Sequence, residues 1–269
     1  MQNSLKAVLF LLLLTSMELS AVEKDSKVAI SLISMRMDYR EYDNSGSILD
    51  SEKSNFLDIA GIGLKYSYKL LKAEDTYSQI DVNYMGVYGH TDYVGSFLGS
   101  GNPYGSVTSK THNSVHDIEV VYKKYHYMGG PFELHYGLGV GYRSWKRELS
   151  ASQIETYKWF SLRPLIGLQI LSTKVLSFGI ETQYQYGINP TMDSSNPSAS
   201  FDLGSADIIQ VDMNINYIYN SDIDLFTKFR FEEQSIDRSN VVVVGSTGYF
   251  EPDSTAKNQY LEIGLAFKF

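Results

Sequence analysis

The chain has no cysteine, six prolines, two tryptophans and no cluster of lysine or arginine. Without thiols there is no disulfide framework, no thiolate metal site and no cysteine nucleophile. Its 23 basic residues are scattered singly among 31 acidic ones, for a formal charge of −8, so it lacks the concentrated positive charge that nucleic-acid phosphates demand. Beyond the N-terminus no apolar run reaches the roughly 18 residues of a membrane helix. What the chain has in quantity is tyrosine, 21 residues, with 21 glycines and 13 phenylalanines.

Lys6 precedes the apolar stretch Ala7 to Leu14, and Leu19-Ser20-Ala21 ends on a small residue. A basic start, a short apolar core and a small-residue cleavage site describe a secretory signal peptide over 1–21, leaving 22–269 as one domain. No cysteine follows the cut, so no lipid is attached there.

The mature chain has period two. In Phe132-Glu133-Leu134-His135-Tyr136-Gly137-Leu138-Gly139-Val140-Gly141-Tyr142-Arg143, apolar residues alternate with polar ones or glycine, and Leu176 to Gly187 repeats the pattern. Such runs predict strands at 28–42, 56–70, 77–91, 114–127, 132–147, 158–171, 176–188, 207–219, 223–232 and 258–269. Short connections (72–76, 128–131, 172–175, 220–222) alternate with long ones at 43–55, 92–113, 148–157, 189–206 and 233–257. An even strand count with short turns at one end and long loops at the other describes an all-β, transmembrane, antiparallel up-and-down barrel of about ten strands. A bilayer core offers no water to unpaired backbone groups, so the sheet must close. Several runs exceed the roughly 9 to 11 residues that cross a membrane, so the barrel projects beyond the lipid. Tyr84, Tyr88, Tyr122, Tyr136, Tyr142, Tyr184 and Tyr186 fall in the lipid-facing phase, as aromatic girdles require. One strand resists this reading: Ile30 and Leu32 break the phase set by Ile33, Met35, Met37 and Tyr39.

The last strand, Leu261, Ile263, Leu265, Phe267 and terminal Phe269 alternating with Glu262, Gly264, Ala266 and Lys268, resembles the closing strand of Gram-negative outer-membrane proteins. The resemblance implies an outer-membrane location, periplasmic termini and extracellular loops. It also implies recognition of Phe267 and Phe269 by the barrel assembly machinery, with membrane lipid and lipopolysaccharide as surroundings.

The inward phase carries Glu119, Lys123, Glu133, His135, Arg143, Arg163, Glu181, Lys228, Arg230 and Glu232. About eight strands already fill with side chains, and aqueous channels need roughly 16 to 18. Acids and bases mixed in so narrow a lumen predict an ion-pair network that plugs it. Trp145 and Trp159 share this phase and are expected to pack beneath the third loop.

Ten strands with five long loops also resemble the omptin proteases, with Gly141-Tyr142-Arg143, Arg163-Pro164-Leu165-Ile166-Gly167-Leu168 and Phe178-Gly179 similar to their middle strands. Omptins activate water with two acids on one rim and an Asp-His pair on the other. The corresponding places hold only Asp92 and Asp193, and no histidine follows His135. A second candidate is His112-Asn113-Ser114, similar to the His-x-Ser of the outer-membrane phospholipase and the lipid A deacylase, in which imidazole activates serine beside an acyl ester. Residue 112 should lie opposite about 147, bringing Glu148 within reach as the orienting acid. His90, His112 and His116 share the outward rim and fit contacts with lipopolysaccharide head groups better than a metal, lacking a tight ligand spacing. The favoured reading is a monomeric, non-enzymatic barrel with a plugged lumen and loops that serve structure or surface binding, with no cofactor or metal. The alternatives are an acyl hydrolase through His112, Ser114 and Glu148, or an omptin-like protease through Asp92 and Asp193.

Overall fold

Among the described residues every regular element is a β-strand, in keeping with the period-two pattern and the scarcity of proline. The computed structural model describes residues 25–96 and 103–269, so the predicted signal peptide lies outside the described residues. The strands are β1 (Ser26–Tyr42), β2 (Ile48–Lys53), β3 (Ile59–Ala73), β4 (Thr76–Gly95), β5 (Val107–Tyr127), β6 (Phe132–Glu148), β7 (Ile154–Leu171), β8 (Leu176–Ser195), β9 (Ser198–Asp202), β10 (Ala206–Ile218), β11 (Ile223–Ile236), β12 (Val242–Val244), β13 (Thr247–Tyr249) and β14 (Asp253–Lys268). The ten long ones form a closed antiparallel ring. The closing seam runs from Lys27 opposite Lys268 to Tyr42 opposite Asp253. The short strands were not foreseen: β2 and β9 extend the sheet inside segments read as loops, and β12 and β13 form a separate hairpin. The third loop is shorter than expected, because β6 runs to Glu148 and β7 resumes at Ile154. Both ends of the described chain, Ser26 and Phe269, are hydrogen-bonded to each other at the short-turn end.

The apparent fault in β1 is the key to the architecture. Ile30 and Leu32 point outward, with Leu32 73% exposed, while Ile33, Met35, Met37 and Tyr39 point inward and are buried. The strand does not slip; its apolar face changes sides. Nearer the turns the outward residues are apolar and the inward ones polar, and nearer the loops this is reversed. The same switch occurs in β5, where Ile118, Val120 and Tyr122 are exposed and Val115 is buried, and in β6, where Leu138 and Val140 are exposed and Trp145 is buried. In β7, exposed Phe160 and Leu162 give way to buried Trp159 and Tyr157. The inward apolar residues join Met85, Val87, Met192, Phe201, Leu203, Ile208 and Ile236 in a core that fills the loop-end half of the lumen. A single sheet thus faces lipid in one half and behaves as a water-soluble barrel in the other.

Glycines in the inward phase of the middle strands make room for large lumenal side chains. A Cβ on Gly141 would lie 2.2 Å from the Arg163 guanidinium carbon, and one on Gly167 would lie 2.4 Å from the His135 ring. This is why that stretch reads as alternating apolar residues and glycine.

The switch predicts opposite responses four residues apart on the outer face of β1. Leu32→Arg should destabilise the barrel by about 2 kcal/mol or more, as a cation placed in the lipid belt. Arg36→Leu, beyond that belt, should change stability by less than about 0.5 kcal/mol. Urea unfolding from lipid vesicles measures both.

Candidate functional site

The inward phase builds several groups of charge-assisted hydrogen bonds across the lumen. Nearest the turns, Tyr77 donates its hydroxyl to Glu133 at 3.1 Å. Above it Lys123 lies 2.6 Å from Glu181 and 3.6 Å from Asp81, and His135 Nε2 is 2.7 Å from the same Glu181 oxygen. At mid-height Arg163 donates to Asp117 at 2.7 and 3.0 Å and to Glu119 at 3.0 Å. Arg143 joins Asp117 at 2.8 Å and holds Glu232 with two bonds of 2.8 Å. Arg230 forks onto Asp212, and Lys228 reaches Glu262 at 2.5 Å. Each of the ten lumenal residues singled out in the sequence has a polar partner in one of these groups. Arg143 and Arg163 are 2% and 1% exposed.

A second polar centre, absent from the sequence reading, lies in the loop-end half, beyond the apolar belt. On β6 the outward neighbours of Arg147 are Lys146 and Glu148, so this level is outside the lipid. Arg147 is fully buried. Its guanidinium donates to Glu52 at 2.8 Å, Glu41 at 2.7 Å and Glu155 at 2.8 Å, and to the Tyr39 and Tyr157 hydroxyls. The Arg147 guanidinium also lies 4.2 Å from the Tyr39 ring centre, and Trp145 packs edge-on to Tyr39 at 5.1 Å. Trp145 donates its indole N–H to Asn113 at 2.8 Å, and Trp159 is buried in the same core, as their inward phase implied. Glu251 completes the group through a short hydrogen bond from Tyr157.

Glu41, Glu155 and Glu251 come within 4.8 Å of one another, close enough for a metal ion. The Arg147 guanidinium, bonded to two of them, already occupies that place. The centre holds more carboxylates than cations. Burial, reinforced by Glu155 and Glu41, pushes Glu251 well above the usual carboxyl range, and burial raises Glu155 against the pull of Arg147. Asp50, at the mouth above, is pushed up to about 7 by burial and by Glu41.

The outward candidates separate. His112 lies directly opposite Glu148, one position from the predicted register. The His112 ring, however, stacks on Tyr88 with centroids 6.2 Å apart, and Ser114 is bonded to a different imidazole. Ser114 Oγ lies 3.1 Å from His116 Nε2, and His116 Nδ1 lies 3.0 Å from the Tyr84 hydroxyl. Glu148 is engaged by Lys146, whose hydrogen bond holds its carboxyl below the usual range. Phase gives the side of the wall a residue faces but not its rotamer, so sequence could not choose between two outward histidines. Asp92 and Asp193 also face outward. Asp92 is exposed, opposite Lys53 and Lys110, and Asp193 is bonded to Lys158 at 2.8 Å. Neither looks into the mouth, so the two do not form a facing pair.

No protein-family model matches the chain, and no curated protein matches it in sequence. Among solved structures, the outer membrane protease OmpT from Escherichia coli is similar over 94% of this chain and 99% of its own, with a TM-score of 0.59 and 13% identity. The transport unit of the autotransporter AIDA-I from Escherichia coli matches 95% of this chain and 94% of its own at a TM-score of 0.47 and 10% identity. The translocator domain of NalP from Neisseria meningitidis matches 100% and 96% at 0.45 and 9%. The chain has the fold of an outer-membrane β-barrel, with omptin-like architecture. At 13% identity the likeness to OmpT is one of fold.

Two predictions follow from the Arg147 centre. Arg147→Met leaves several buried carboxylates without their cation and should cost about 3–5 kcal/mol, read by urea unfolding. The raised carboxyls set the sign of a pH effect: their contribution is fully present below the ordinary carboxyl range and is lost as pH rises through about 7, where Asp50 ionises, and beyond. Limited proteolysis should therefore cut the loop end faster at pH 8.5 than at pH 5.5, and Glu251→Gln with Asp50→Asn should flatten the difference.

Proposed function

We propose that the protein is a plugged, non-conducting outer-membrane barrel, with periplasmic termini and extracellular loops, that serves as a structural or surface-binding platform. The observation that carries this reading is the buried Asp117–Arg143–Glu232 and Asp117–Arg163 chain across the lumen, closed on the loop side by an apolar core. A selective pore instead lines a constriction with one sign of charge and leaves it wet. The likeness to OmpT raises proteolysis as a rival. Against it stand the outward directions of Asp92 and Asp193 and the lack of any histidine after His135 to act as base.

The partners are those that the surface suits. Membrane lipid and lipopolysaccharide cover the apolar belt and its tyrosines, and the assembly machinery reads Phe267 and Phe269. The loops offer contacts to an external ligand. Val241 and Val243, beside and on β12, are 64% and 68% exposed, apolar side chains on a polar rim that favour surface contact over mere shielding. The reading includes no cofactor and no nucleic acid.

Planar-bilayer recording tests it. Reconstituted protein should add no stable current, and a reproducible single-channel step would contradict the plugged lumen.

A further inference from the structure

The outer wall carries a constellation that the lumen does not explain. Ser114 and His116 are successive outward residues of β5, and Tyr84 is outward on β4, where Gly86 lies directly opposite His116. Their hydrogen bonds run in one line, Ser114 Oγ to His116 Nε2 at 3.1 Å and His116 Nδ1 to Tyr84 Oη at 3.0 Å. With the proton on Nδ1, that N–H donates to the Tyr84 oxygen and leaves Nε2 to accept from the serine hydroxyl. This is the tautomer a general base needs. Gly86 keeps the seat open, since a Cβ there would come within 2.5 Å of the Tyr84 oxygen.

The location selects the substrate. Two residues toward the turns, Ile118 lies in the lipid-facing belt opposite Tyr142, whose ring packs on Phe160. Tyr88, 60% exposed, is directly opposite Ser114. The serine thus stands at the level of the aromatic girdle, where acyl esters of membrane lipids meet water. Lys146, outward and directly opposite Ser114 on β6, provides a cation for a developing oxyanion once it leaves Glu148.

We propose that Ser114 and His116, positioned by Tyr84, hydrolyse acyl esters of lipids in the adjoining leaflet. Ser114 Oγ attacks the ester carbonyl carbon as its proton passes to His116 Nε2, and the carbon–oxygen bond to the lipid alcohol breaks, the alcohol taking that proton. A water molecule then gives a proton to His116 and its oxygen to the acyl carbon, releasing fatty acid and returning the proton to Ser114. Ser114 and His116 are catalytic residues, and Tyr84 is a positioning residue. The inference is independent of the plugged lumen, because it uses only the outer face.

The test is covalent labelling of the full chain in phospholipid vesicles by an alkyl fluorophosphonate, with the adduct located by peptide mass spectrometry. Folding of each variant is checked by heat-modifiable gel mobility. One adduct is expected, on Ser114. His116→Ala should slow labelling about 100-fold, with added imidazole restoring part of the rate, and His116→Gln, which fills the space imidazole would enter, should be as slow and gain nothing from imidazole. Tyr84→Phe should shift the pH profile of labelling, whereas His112→Ala should leave both rate and profile unchanged. The vesicle phospholipid should lose one acyl chain, and Ser114→Ala should abolish that loss. Absence of an adduct on Ser114, labelling undiminished in His116→Ala, or dependence on His112 instead would overturn the relay. An adduct without fatty-acid release from phospholipid or lipid A vesicles would overturn the substrate assignment.

Discussion

Everything in this molecule depends on a sheet that must hide backbone polar groups from lipid and then continue beyond it. Closure satisfies the first demand, because a ring of ten antiparallel strands has no edge. The second demand falls on the side chains. Inside the bilayer the outward face must be apolar and the interior takes the polar residues, whereas outside it the hydrophobic effect drives apolar residues inward. Strands as long as β4, β5 and β8 cross that boundary, and each changes the side on which its apolar residues stand.

The change of side dictates how each half is filled. In the lipid-facing half, charges enclosed by the wall are tolerated because they are paired and multiply hydrogen-bonded, as Arg143 is between Asp117 and Glu232. In the loop-end half, tryptophan, tyrosine and methionine pack into a core, and Arg147 ties strands β1, β2, β6 and β7 together through Glu41, Glu52 and Glu155. That second centre carries more acid than base, with Arg147 set among Glu41, Glu52 and Glu155.

Most of the barrel was legible in the sequence because alternation fixes which wall a residue faces. The ten strands, the inward phase of the lumenal charged residues and the opposition of His112 to Glu148 within one residue all follow from period and turn length. Besides the short strands, three features were not legible there. The break at Ile30 and Leu32 looked like a fault because a single phase was assumed for the whole strand. The Arg147 centre was hidden because Glu52, Glu155 and Glu251 lie in segments that composition marks as loops, and only continuing the parity of Arg143 through Arg147 would have signalled it. The choice of His116 over His112 depends on rotamers, since Tyr88 captures one ring and Tyr84 the other.

The account stands or falls on where lipid gives way to water along the outer face. The absence of cysteine makes this directly measurable, since single cysteines at outward positions 110 to 122 of β5 can each carry a nitroxide label. Accessibility to oxygen and to a water-soluble nickel chelate should cross over near Ser114 and His116: Lys110→Cys and His112→Cys relaxed by nickel, Ile118→Cys, Val120→Cys and Tyr122→Cys by oxygen. Oxygen accessibility continuing unchanged to residue 110, or nickel accessibility reaching residue 122, would contradict a wall that reverses its apolar face at the membrane boundary.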